Sequence, residues 1–152
     1  MHSEIVRFAS LSSLAKTTTI HYCVATSEGI SALGDNGVCG LFGLYGTHEK
    51  PRHSYQSTMT ECVSLRDGQV VLSDGINYSG IDIVLNCYGE NEILGQLEQL
   101  SKRGFIKVMI HEQYFYPDYI NYQASFEEKL NTTFGFLCAN GYESIFFEEL
   151  LP

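Results

Sequence analysis

Short runs of β-branched and aromatic residues alternate along this chain with segments whose apolar positions recur every three or four residues. The first pattern predicts strands and the second helices. Strands are expected at 17–23 (TTTIHYC) and at 38–45, the latter with Gly40, Gly43 and Gly46 in or beside it. A short strand follows at 69–72, a buried one at 81–85, another at 105–111 and a last one at 143–147. Between 72 and 81 the stretch SDGINYSG reads as a connection, with Asp74 and Gly75 marking its turn.

The helices carry their own punctuation. Thr26 and Ser27 can cap a helix whose apolar face is Ile30 and Leu33, and Asn36 with Gly37 can end it in a left-handed turn. Ser57, or Thr58 paired with Glu61 in a capping box, opens a second helix with Met59, Cys62 and Val63 on one face, ending near Asp67 and Gly68. Residues 90–103 have acids first, bases last, Ile93, Leu94, Leu97 and Leu100 on one stripe, and Gly104 beyond. Ser125 and Glu128 form a second capping box before Phe126, Leu130, Phe134, Leu137 and Cys138, with Asn140 and Gly141 as the stop. Residues 2–14 suggest a partial helix, and 47–56, with Pro51, His48 and His53, a surface loop that needs no functional explanation. The alternation predicts one α/β domain over residues 1–152, a parallel sheet with helices packed on it through right-handed crossovers.

Candidate chemistry concentrates in IKVMIHEQYFYPDY, residues 106–119, where an apolar strand surfaces into polar and aromatic residues. In parallel sheets and barrels the carboxyl ends of strands are where ligands bind. His111 and Glu112 are therefore the catalytic candidates. The imidazole suits acid or base work near neutral pH, and a structural hydrogen bond to backbone is the alternative. Glu112 points to the opposite side unless the chain turns there. Tyr114, Tyr116, Tyr22, Asn86 and Glu148 are the substrate-binding candidates, because a parallel sheet gathers the ends of its strands on one face. Tyrosines offer flat faces with polar tips, which suit sugar rings, an interface or a packed loop. Glu148 with Glu149 reads as a carboxylate pair or a solvated acidic tail. His21 and Cys23, two apart on one strand, can approach a metal with His111, or serve as a core histidine beside a buried thiol.

Composition narrows the classes. With 18 acidic and 9 basic residues the formal net charge is −9, so nucleic acid and anionic membrane surfaces are poor partners. Five cysteines without a CxxC pair point to a reducing compartment, and MHSEIVRF carries no signal peptide of the usual form, so a cytoplasmic location is expected. No Walker loop, GxGxxG, GxSxG or HExxH appears.

The segments IVRFASLSSLAKTTTIHYCVATSEGISAL, GVCGLFGLYG and IKVMIHEQYFYPDY, followed by FEEKL and GYESIFFEE, resemble the carboxyl-terminal half of polysaccharide deacetylase-like proteins. That family of carbohydrate esterases is built on an irregular (β/α) barrel. The resemblance implies a partial barrel and a place in carbohydrate metabolism, with His111 at the position of the family's general acid. In active members a divalent metal is the cofactor, polarising the acetamide carbonyl and activating water to release an acetyl group. The family's metal site uses paired aspartates on an early strand and a later HxxxH, and this sequence contains neither. The implied protein is a shortened or catalytically incomplete deacetylase. The alternative is a non-catalytic carbohydrate-binding or structural module. An incomplete barrel would expose a sheet edge, implying a homo-oligomer or a partner chain that completes it.

Overall fold

The computed structural model describes residues 15–46 and 52–151. The expected helix at 2–14 and His48 lie outside the described residues. The chain falls into two compact units, Met1–Gly80 with Phe146–Pro152, and Ile81–Ile145.

The first unit holds β1 (Thr17–Thr18), α1 (Ser27–Asp35), β2 (Gly40–Gly43), α2 (Met59–Arg66), β3 (Val70–Ser73) and β4 (Ile76–Gly80). The strands form one sheet in the order β1-β2-β4-β3. β1, β2 and β4 run parallel, whereas β3 is antiparallel to β4, so the sheet is mixed rather than purely parallel. Leu41, Leu65 and Ile76 are fully buried in its core, with Ile30, Tyr45, Cys62 and Tyr78 around them.

Residues expected to form a connection instead supply β4, a strand bonded on both sides. Asp74 and Gly75 take φ of 49° and 78°, the left-handed pair that a two-residue hairpin turn needs. The chain therefore reverses at once and INYSG pairs back along VVLS. Its polar composition hides it, but the Asn77 amide donates to the Cys39 carbonyl at 3.0 Å, and Ser79 is buried. Glycine is required at position 80 by close approach, since a Cβ there would lie 2.5 Å from the Leu65 carbonyl oxygen.

Two further strand expectations fail. The run 17–23 joins the sheet only at β1, and Tyr22 and Cys23 adopt φ of 56° and 55° in a 3-10 turn over His21–Cys23, outside strand space. The run 143–147 forms no strand. Phe147–Leu150 is a 3-10 turn whose start is held by Glu149, which accepts from the Phe146 N–H at 2.8 Å, while the Phe147 ring packs edge-on against Phe42.

The second unit contains β5 (Ile83–Val84), α3 (Glu90–Leu100), β6 (Val108–Met109) and α4 (Phe126–Ala139). β5 and β6 pair in parallel across the α3 crossover, and α3 packs on α4. Ile83, Leu85, Ile93, Leu97 and Phe126 form its core. The strand expected at 105–111 shrinks to two residues because Asp82 takes over the bonding beside it. Its carboxylate accepts from the Lys107 N–H at 2.7 Å and pairs with the cations of Arg103 and Lys107. Ser125 does not cap α4. It sits at φ −88°, ψ 12° with no side-chain cap bond, and the Phe126 N–H bonds back to the Gln123 carbonyl instead.

The observed architecture is thus α/β, and neither sheet of the described residues closes on itself. No helix among the described residues is long and apolar enough to cross a membrane.

Candidate functional site

β6 ends two residues before His111, and there the chain turns. The His111 carbonyl accepts from the Tyr114 N–H at 3.2 Å, starting a 3-10 turn over Glu112–Phe115. This turn answers the geometric question posed by Glu112, which stands exposed on the turn rather than on a continuing strand.

His111 is held by one specific contact. Its Nδ1 lies 2.7 Å from Asn86 Oδ1, and the amide nitrogen of Asn86 donates to Cys87 Sγ at 3.6 Å, so the amide oxygen faces the ring. With Asn86 Oδ1 as the acceptor of this bond, the hydrogen sits on Nδ1, and Nε2 is then an acceptor in neutral imidazole and a donor in imidazolium. Asn86 tolerates both states because its oxygen accepts from Nδ1–H in either. The arrangement can therefore pass a proton at Nε2 without rearranging its support.

Behind this pair runs a polar network that begins in the core of the unit. Lys129 on α4 is only 5% exposed, and its Nζ donates to the Tyr88 carbonyl at 2.7 Å and to Gln123 Oε1 at 2.6 Å. The Gln123 amide nitrogen donates to the Asn86 carbonyl at 3.0 Å, and its backbone N–H to the Tyr114 carbonyl. Lys129, Gln123, Asn86 and His111 thus form one connected chain of hydrogen bonds. The sequence reading missed Lys129 and Gln123. The available signal was a lysine placed among the apolar positions of an otherwise amphipathic helix, where a cation needs acceptors to be buried.

The tyrosines divide by environment. Tyr114 is committed to packing, stacked on Phe126 with ring centroids 5.9 Å apart and edge-on to Tyr119 at 5.3 Å. Desolvation, then the neighbouring Tyr119, raises its phenol above the ordinary range and keeps it a neutral donor. Tyr116, at 59% exposure, and Tyr122 offer open ring surface.

Tyr22 and Glu148 belong to the first unit. Tyr22 is exposed beside the His21 ring. Glu148 is bound to the start of β1, accepting from the Lys16 N–H at 2.9 Å, and Glu149, exposed to solvent, is the cap of its own turn, so the two are not a free carboxylate pair. His21 and Cys23 lie in a 3-10 turn, not on one side of a strand. Among the described residues no group of three His, Cys, Asp or Glu is arranged to hold a metal ion, so they do not fit the divalent metal that the resemblance implies.

A second histidine contact joins His53 Nδ1 to Cys62 Sγ at 3.4 Å. Burial, then the adjacent Glu61 carboxylate, pushes the Cys62 thiol up, the reverse of what a nucleophilic thiolate requires. This contact is a packing feature. No family model, curated protein or solved structure matches the chain.

Proposed function

We propose that the chain is a polysaccharide deacetylase-like protein that binds carbohydrate at the His111 face of the Ile81–Ile145 unit and does not deacetylate on its own. The observation that supports this reading is the Asn86–His111 hydrogen bond, which engages Nδ1 and so leaves Nε2 as the nitrogen we assign to the ligand, with open tyrosine rings nearby in sequence. Sugar rings present apolar faces to aromatic surface and hydroxyls to polar tips, the combination that Tyr116 and Tyr122 supply. In this reading His111 stands where the resembled family keeps its general acid, Glu112 is the neighbouring carboxylate, and Asn86 is the positioning residue. Tyr22 and Glu148 are left out of it. A divalent metal and its ligands would have to come from elsewhere for hydrolysis. We place the protein in the cytoplasm, in keeping with its free cysteines, and read the fold as part of an irregular (β/α) barrel.

Calorimetric titration of the full chain with an N-acetylglucosamine oligomer tests the proposal. Saturable binding is expected without acetate release, and the Tyr116→Ala, Tyr122→Ala double variant should weaken it by about tenfold. Absence of binding, or acetate release by the chain alone, would contradict it. A second reading, a self-associating structural module whose copy or partner completes the barrel, is favoured by Ile120, which is 92% exposed beside these tyrosines. Sedimentation at micromolar concentration separates the two, since a monomer counts against assembly.

A further inference from the structure

We propose that β3 is an interaction surface for a second copy of this chain, which pairs with it antiparallel across a two-fold axis at Val71 and joins two mixed sheets into one. β3 closes the order β1-β2-β4-β3, so it is bonded to a strand on one side only. Its register runs without a bulge from Val70 opposite Ser79 to Ser73 opposite Ile76. A two-residue turn makes Ser73 and Ile76 a hydrogen-bonded pair, and the ladder alternates from there. The N–H and C=O groups of Val70 and Leu72 therefore point away from β4, and no described residue outside the hairpin bonds to them.

Open edges recruit other strands, and proteins ordinarily blunt them with a charge, a proline or a bulge. VVLS has none of the three, and Leu72 is 66% exposed. The strand also complements itself. With the axis at Val71, Val70 of each copy stands opposite Leu72 of the other, and these two pairs make four backbone hydrogen bonds. Both residues point to the same face, so each pair sets one apolar side chain against another. Asp67 and Asp74, the acids that bracket the strand, fall opposite Gly75 and Gly68 of the copy, so two chains of formal net charge −9 meet without opposing like charges in the seam. A slip of two residues either way leaves a single apolar pair and sets Val70 against Asp74 or Leu72 against Gly68.

α2 extends the contact and favours a copy over a lone extended peptide. It packs on both β3 and β4. Neighbouring strands lie about 4.8 Å apart, so a helix over these two stands about 5 Å from the seam and about 10 Å from its copy, a distance at which helices pack. The axis is normal to the sheet, which keeps both helices on one face. Met59 and Val63, one turn apart on α2, are 56% and 39% exposed and are the apolar side chains available there. A peptide strand would leave them uncovered. The seam lies in the first unit, whereas Ile120 belongs to the second.

Sedimentation of the full chain from micromolar to millimolar concentration should show a monomer–dimer equilibrium. Leu72→Lys, at an exposed position and with the β4 bonds intact, should weaken dimerisation by about tenfold. Mild oxidation reads the register, in a Cys87→Ser, Cys138→Ser background that removes the exposed native thiols. Val71→Cys sets two thiols at a pair without hydrogen bonds, with Cα atoms about 4.5 Å apart and within disulfide reach. Leu72→Cys sets them about 8 Å apart, beyond it, although Leu72 is the more exposed position. Val71→Cys should therefore cross-link two copies and Leu72→Cys should not. The proposal is overturned if the chain stays monomeric throughout, if Leu72→Cys cross-links as readily as Val71→Cys, or if Leu72→Lys dimerises like the parent. A dimer kept in Leu72→Lys and lost in Ile120→Lys would move the seam to the second unit.

Discussion

The two units solve burial differently. Among the described residues of the Met1–Gly80 unit no charged residue is fully buried: Leu41, Leu65 and Ile76 fill the core, and Gly80 lets β4 approach the end of α2. Its buried polar groups are hydroxyls, such as Ser54, which exchanges hydrogen bonds with both backbone groups of Leu44. In the Ile81–Ile145 unit the interior holds charge. Asp82 is enclosed with Arg103 and Lys107, and Lys129 donates only to neutral oxygens. Packing defines the first unit by shape, whereas the second is defined by directed bonds that end at His111. Directed bonds fix a catalytic or binding group more tightly than apolar contact does, which is why the candidate site and the buried charges occur in the same unit.

The contrast predicts where each unit breaks. Asp82→Ala leaves two cations beside an empty acceptor and should cost about 3–5 kcal/mol in urea denaturation followed in the second unit. Gly80→Ala forces a methyl group onto the Leu65 carbonyl and should cost the first unit about 2–3 kcal/mol by the same measurement. Lys129→Met keeps volume but orphans the Tyr88 carbonyl and Gln123 Oε1, for about 2 kcal/mol, and should also broaden the His111 imidazole resonances as the network loosens.

The smallest effect is on alkaline stability, to which Lys107 and the raised phenols contribute with opposite signs. Burial lowers Lys107 from 10.5, Asp82 opposing, so between its folded value and 10.5 the unfolded chain binds more protons and Lys107 contributes stability to the second unit as pH rises. Burial raises the phenols of Tyr45, Tyr55 and Tyr78 above 10.0, so the unfolded chain loses protons first and the first unit loses stability above that pH. Amide exchange across pH 9 to 11, about one unit either side of the ordinary phenol value, should show the first unit losing protection as pH rises.

The sequence made the four described helices legible because their signals are local. Thr26 accepts from the Gly29 N–H, Thr58 and Glu61 form the expected capping box, and Gly37 and Gly141 take the left-handed stops. Strands were less legible because their definition is non-local: β4 looks like a loop until β2 and β3 bond to it, and 105–111 looks like a strand until Asp82 claims its bonds. The same division holds at the site. His111 was visible as the polar end of an apolar run, and Asn86 as the end of another. Their contact, and the support from Gln123 and Lys129, joins residues far apart in the chain and is set by tertiary packing.

In the proposed function Asn86 holds His111 with Nε2 ready for a carbohydrate ligand. Nitrogen-15 NMR of the His111 imidazole during titration of the full chain with an N-acetylglucosamine oligomer tests it most directly. The account predicts a protonated Nδ1 in the neutral ring, a saturable shift of Nε2 on binding, and loss of both in Asn86→Ala. An Nε2-protonated neutral ring, or a His111 spectrum indifferent to saturating sugar, would contradict it.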